Sequence, residues 1–95
     1  MPAFVIADVA ITDPEKYKEY TAQTPESIAG YGGRFIVRGG LFEVLEGDWE
    51  PGRLVVIEFP NMDAALAWYR SDDYQDLAKI RHAASTAKIL VVDGT

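Results

Sequence analysis

An arginine followed by two glycines stands at Arg38, Gly39 and Gly40. A guanidinium together with exposed backbone N–H groups can bind a carboxylate or a phosphate, so the triplet has the chemistry of an anion site. Two adjacent glycines within a strand also mark a bulge or a close backbone approach, which would explain the triplet without a ligand. The sequence leaves both interpretations open, and the first predicts that all three residues bind ligand.

A carboxylate at Glu58 interrupts an otherwise apolar run in the second half of the chain. If it is buried, its pKa rises and it can act as a general acid or base. An ion pair with Arg38 or Arg53 is the alternative that we favour, because an unpaired carboxylate among apolar side chains is costly. We therefore predict that Arg38 and Glu58 share one polar site. Asp8 raises the same question in the first strand.

His82 is the only histidine, and its side chain is the one that ordinarily titrates near neutral pH. It is a second candidate for proton transfer, although a polar residue near a helix end explains it equally simply. One histidine and no cysteine make a dedicated metal site unexpected, since such sites use three or four ligands. We accordingly expect neither a metal nor another cofactor.

Aromatic residues are numerous for 95 residues, with five tyrosines and two tryptophans. Their apolar rings and polar tips suit the wall of a ligand pocket, although core packing is the more common role. Tyr20, Trp68 and Tyr69 are the candidates for walls of a pocket between sheet and helices.

These residues fall on elements in the order strand, helix, strand, strand, helix, strand. Asp13 and Pro14 predict the start of a first helix, which Pro25 is expected to break or kink. Asn61 caps a second helix and Ser71 a further turn. Strands are predicted over Ala3 to Ile11, Arg34 to Arg38 with a continuation over Leu41 to Glu46, Arg53 to Phe59, and Ser85 to Val92. This order predicts an α+β, ferredoxin-like βαββαβ sandwich, with two helices on one face of a four-stranded antiparallel sheet.

The strands are apolar on both faces, as residues 54–57 and 89–92 show. Two helices cover only one face, and a second copy of the chain is the simplest cover for the other. The sequence therefore predicts a homodimer built on the sheet faces.

The length of 95 residues fits one domain, and the formal net charge is −6. An acidic chain without a basic cluster is a poor partner for nucleic acid or an anionic membrane, and no apolar run approaches a membrane span. The first residues do not resemble a signal peptide, and the absence of cysteine fits a cytoplasmic location.

Several short motifs together resemble the DUF1330 family. They are Gly33-Arg34-Phe35, Arg38-Gly39-Gly40, Glu46-Gly47-x-Trp49-x-Pro51-x-Arg53, Ile57-Glu58-Phe59-Pro60 and Ala67-Trp68-Tyr69-x-Ser71. The resemblance covers essentially the whole chain and implies a dimeric α+β barrel. Relatives in that superfamily include cofactor-independent monooxygenases, haem-degrading enzymes, lactone isomerases and ligand-sensing domains, and nothing in this sequence selects among them.

Three functions follow as hypotheses. The first is a small-molecule-binding dimer with Arg38 and Glu58 as polar anchors and a small organic acid as ligand. The second is a cofactor-independent enzyme in which Glu58 or His82 moves a proton on a small organic acid or lactone. The third is an interaction module that needs only its dimer surface.

Removal of metal ions tests the expectation that no metal is bound. Treatment with a chelator should leave the melting temperature unchanged, because no ligand cluster couples a metal to folding. A fall of several degrees in a thermal melt would contradict it.

Overall fold

The computed structural model describes residues 1–95 and confirms the ferredoxin-like α+β fold. The strands are β1 (Ala3–Ile11), β2 (Arg34–Arg38), β3 (Arg53–Phe59) and β4 (Ser85–Asp93), and the helices are α1 (Pro14–Ala29), α2 (Met62–Arg70) and α3 (Asp72–Ala84). The strands form one antiparallel sheet in the order β2-β3-β1-β4. None of the three helices is long and apolar enough to cross a membrane.

The helices begin where capping residues predict. The carboxylate of Asp13 accepts a hydrogen bond from the Lys16 N–H at 3.1 Å, and the Asn61 side chain accepts one from the Ala64 N–H at 2.8 Å. The predicted break at Pro25 is wrong, because α1 continues through it. The buried face of α1 extends on both sides of the proline, so packing outweighs the missing backbone hydrogen bond.

The region after α2 is a full third helix rather than a further turn. Ser71 has an extended conformation that ends α2, and its hydroxyl donates to the Trp68 carbonyl at 2.7 Å. The same oxygen accepts from the Tyr74 N–H at 3.1 Å and so caps α3. This one serine therefore fixes the direction of α3, on which Tyr74 and Arg81 are carried.

The strand β2 departs from its predicted course in two ways. Its register shifts between Phe35 and Val37, so the bulge lies there and not at the two glycines. Gly39 has a positive φ of 70°, and a side chain there would meet the Arg53 guanidinium, so a close approach does occur at that position. The predicted strand over residues 41–46 is wrong, because no neighbouring strand pairs with this exposed segment.

The two faces of the sheet differ in what covers them. Alternate residues of β1 and β3 pack under the helices in a core that includes Val5, Ile57 and Phe59. The opposite face, the open face, bears Phe4, Ile6, Val37, Leu54, Val56, Leu90 and Val92. Several of these apolar side chains are exposed. The molecule is a slab of 32 × 32 × 17 Å. The strands are thus apolar on both faces, as predicted, and the chain itself covers only one.

Removing the Ser71 hydroxyl tests its role at the joint between α2 and α3. Ser71→Ala should lower the free energy of unfolding by about 0.5–2 kcal/mol, because the first turn of α3 loses its cap. Urea denaturation measures this, and Ser71→Thr is the matched control because it keeps a capping hydroxyl. Equal stability of Ser71→Ala and the unchanged protein would contradict the capping role.

Candidate functional site

A small cavity lies between the sheet and the helices. Its volume is about 40 Å³, far below the roughly 300–1,000 Å³ of a drug-sized ligand pocket. In this shape it accommodates only a molecule of a few atoms. Strand residues give it an aliphatic floor, and helix residues give it an aromatic roof. Its lining comprises Val5, Ala7, Val9, Tyr17, Tyr20, Thr21, Thr24, Phe35, Arg38, Arg53, Val55, Ile57, Trp68, Tyr74, Arg81 and Ile89.

Three arginines line this cavity, and no carboxylate does. Arg81 is only 4% exposed, and its Nε atom is buried without a hydrogen-bond partner. One of its terminal nitrogens lies 3.3 Å from Nε2 of His82. A guanidinium keeps its charge in proteins, and a buried charge without a counterion is costly. Arg81 therefore leaves donor capacity that an anion could use.

The other two arginines rest on aromatic rings. The guanidinium carbon of Arg38 lies 4.4 Å from the centre of the Phe35 ring, and that of Arg53 lies 6.0 Å from the centre of the Tyr17 ring. The Nε atom of Arg53 is also buried without a partner. Neither guanidinium makes an ion pair. The positive charge in and around the cavity is thus held by packing and cation–π contacts rather than by acids.

Hydrogen-bonded tyrosines form part of the roof. The hydroxyls of Tyr20 and Tyr74 lie 2.7 Å apart in a buried position, and the Trp68 ring is 4.1 Å from the Tyr74 ring. Burial raises the pKa of Tyr20 far above its ordinary 10.0, and the Tyr74 hydroxyl beside it raises it further. Burial also raises the pKa of Tyr17, although Arg53 opposes that effect. The phenols of Tyr20 and Tyr17 therefore stay protonated at neutral pH and do not serve as bases.

Helical spacing brings the roof together. Tyr17, Tyr20 and Thr24 share the buried face of α1, and Tyr74, Ala78 and Arg81 share that of α3. Arg53 and Arg81 were not among the site residues predicted from the sequence. Arg81 could have been found from its spacing to Tyr74 and Ala78, because that spacing places an arginine on an apolar helix face.

The candidate ligand-binding residues fall in different places. Tyr20, Arg38 and Trp68 line the cavity. Tyr69 packs against Trp68 with ring centres 6.2 Å apart and faces two outer grooves instead. Gly39 and Gly40 lie in an open groove that adjoins the cavity at Arg53. The structure therefore brings three of the six into one cavity, with the two glycines beside it.

Glu58 lies on the open face, away from the cavity. Its Oε1 atom accepts a hydrogen bond from Nε of Arg34 at 2.7 Å. Arg38 pairs with Val55 in the sheet and points to the helix side, so the predicted contact between Arg38 and Glu58 is wrong. The register is the reason, because Arg34 lies opposite Glu58, whereas Arg38 lies opposite Val55, three residues away along β3 and on the other face of the sheet.

His82 is exposed near the end of α3. It lines an outer groove with Tyr69 and Arg81 rather than the cavity. Its link to the cavity runs through Arg81, whose guanidinium it contacts. The two candidates for proton transfer, Glu58 and His82, are therefore not brought together.

Asp8 is an anchor on the open face. Its carboxylate accepts hydrogen bonds from the Trp49 indole N–H and from the Gly52 N–H, each at 2.9 Å. The bond from Trp49, followed by that from Gly52, holds the pKa of Asp8 below its ordinary 3.8, and Lys88 contributes to the lowering. Asp8 thus fastens the end of the irregular segment before β3 to the sheet.

Comparison with solved structures confirms the class of fold. A protein of unknown function from Rhodopseudomonas palustris has a TM-score of 0.80 and 19% identity, and the match covers 99% of this chain and 82% of that one. SnoaB, a cofactor-independent oxygenase from Streptomyces nogalater, has a TM-score of 0.66 and 15% identity over 99% and 93%. A dimeric protein of unknown function and ferredoxin-like fold from Bacteroides fragilis has a TM-score of 0.56 and 15% identity over 98% and 96%.

The family follows from the sequence match. The model of DUF1330, a domain of unknown function, matches residues 2–95, so the chain belongs to the DUF1330 family. Comparison with curated proteins finds no match.

Acidification tests the Asp8 anchor. The pKa of Asp8 is lowered in the folded state, so its contacts are complete above the unfolded-state pKa and are lost as the pH falls through the folded-state value. Trp49 fluorescence should therefore change with a midpoint below 3.8, while far-UV circular dichroism reports whether the fold persists. Asp8→Asn should abolish this transition and Glu46→Gln should keep it. A midpoint at or above 3.8, or a transition that survives in Asp8→Asn, would contradict the anchor.

Proposed function

We propose that this protein is a homodimer that binds a small organic acid in the cavity between its sheet and its helices. The observation that carries the proposal is Arg81, a buried guanidinium that faces the cavity without a carboxylate partner. Charge-assisted hydrogen bonds to a carboxylate would satisfy it, and a guanidinium binds that group in a two-pronged geometry.

The lining defines the ligand further. Arg53, Arg81 and one hydroxyl of the hydrogen-bonded pair Tyr20 and Tyr74 provide donors for an anionic head group, since the other hydroxyl donates within the pair. The aliphatic strand side chains on the floor provide an apolar surface for the rest of the molecule. The small volume favours a body of a few atoms, so the proposed ligand class is a short-chain monocarboxylic acid.

The open face supports the proposed homodimer. It is a contiguous set of apolar strand side chains that no helix of the chain covers, and such patches mark protein interfaces. The Bacteroides fragilis neighbour, which has the same fold, is described as dimeric.

Light scattering after gel filtration should give about twice the chain mass of 10.5 kDa.

A cofactor-independent enzyme is the second candidate. The observation in its favour is the buried group of tyrosine hydroxyls beside arginines, in a fold shared with the oxygenase SnoaB. In this candidate the phenols orient and stabilise an anionic substrate, and the raised pKa values of Tyr20 and Tyr17 prevent these two from acting as bases. His82 is the nearer proton carrier because it contacts Arg81, whereas Glu58 faces the other side of the sheet.

Carboxylates and their neutral amides, used as matched pairs, test the proposed ligand class. Acetate and propionate should raise the melting temperature at constant ionic strength, and acetamide and propionamide should not. Arg81→Met should weaken carboxylate binding by roughly 10–100-fold in calorimetry, because a hydrogen bond to a charged group contributes about 1.5–3 kcal/mol. Arg70→Met, which changes an exposed arginine at the end of α2, is the matched control and should bind normally.

Two outcomes would contradict the proposal. One is equal stabilisation by acids and amides, which would remove the role of charge. The other is unchanged carboxylate binding by Arg81→Met with normal circular dichroism, which would place the ligand elsewhere. Absence of binding by any of the probes would favour the interaction module.

A further inference from the structure

Residues 41–50, the apolar arm, expose more apolar surface than any other segment of the chain. Leu41 is fully exposed, Leu45 is 90% exposed and Trp49 is 55% exposed, and Phe42 and Val44 are exposed in part. A contiguous set of exposed large apolar side chains is expected to pack against a partner.

The backbone of the apolar arm also lacks partners. No backbone–backbone hydrogen bond of the turns and loops involves residues 40–52, and the arm belongs to no strand. Its first six residues nevertheless include Phe42 and Val44, residue types that favour strands. A segment with strand chemistry and free N–H and C=O groups is suited to pair with a second chain.

The position of the arm indicates which partner covers it. The Trp49 indole is hydrogen-bonded to Asp8, and Asp8 lies on the open face between Leu54 and Lys88 in the sheet register. The arm therefore continues the apolar surface of the open face, which we have proposed as the contact between two copies. One partner can cover both surfaces at once.

Charge supports the same partner and restricts its placement. The arm carries four acidic residues and no Lys or Arg, out of a net charge of −6 for the whole chain. Two such arms would repel each other if they met at the two-fold axis. Each arm is instead complementary to Lys88 on the partner's open face, whose side chain is exposed and makes no ion pair within its own chain.

We propose that the apolar arm of each copy crosses onto the other copy and packs along the border of its open face, so that two arms embrace one pair of sheets. This inference rests on the proposed homodimer and adds the element that secures it. A two-fold dimer contains two arms, so every arm side chain occurs twice in the interface.

Shortening two side chains of the apolar arm tests whether the arm contributes to the dimer interface. Leu41→Ser together with Leu45→Ser should raise the dissociation constant of the dimer by roughly 100-fold or more, because four large apolar side chains are lost per dimer. Sedimentation over a concentration series measures this, with circular dichroism as the check on folding. Tyr31→Ser, which shortens an exposed aromatic residue after α1, is the matched control and should dimerise normally.

Quenching of tryptophan fluorescence provides a second, independent measurement. Trp68 is 2% exposed, so acrylamide reports mainly on Trp49. Quenching should be weak in the dimer and should increase as the protein is diluted into the monomer.

The outcomes distinguish the proposed role of the arm from dimerisation itself. A dimer that keeps its dissociation constant in the double variant, or in which Trp49 stays fully quenchable, would overturn the role of the arm and leave the homodimer standing. A protein that is monomeric at every concentration would overturn both.

Discussion

A four-stranded sheet with apolar side chains on both faces has to be covered twice, and this chain supplies helices for one face only. That constraint follows from the alternation of side chains along a strand, since each residue faces one side or the other. The helix side becomes a closed core with a cavity near one end. The open side keeps Ile6, Leu90 and Val92 in solvent until another surface meets them. The cavity and the uncovered apolar face thus lie on opposite sides of the sheet within one copy.

Much of the fold was predictable because local chemistry determines it. Asp13 and Asn61 cap their helices through side chains that any reader of the sequence can identify, and the apolar strands follow from composition. The segment 41–46 shows where this reasoning ends. It has the residue types of a strand, but a strand also needs a neighbour, and the sheet offers it none within the chain. Pattern predicts a preference, and tertiary context decides whether that preference is met.

The candidate site was less predictable for a related reason. Tyr20, Arg38 and Trp68 were accessible from their types, and they do line the cavity. Arg53 and Arg81 were not selected, because a charged residue is ordinarily assigned to the surface unless its partner is known. What distinguishes these two arginines is that no carboxylate lines the cavity beside them. That arrangement is visible only in three dimensions. Even with a net charge of −6, the acids lie outside the cavity and leave it positive.

The bulge between Phe35 and Val37 decides which face of the sheet Arg38 occupies. If the same residues paired without a bulge, Arg38 would lie opposite Leu54 instead of Val55 and would point to the open face, as Arg34 does four residues earlier. This one-residue irregularity therefore divides two arginines of a single short strand between the two faces of the sheet, one beside the cavity and one beside Glu58. A slip of one residue in this edge strand would remove a positive charge from the cavity and add one to the open face, with no change of sequence.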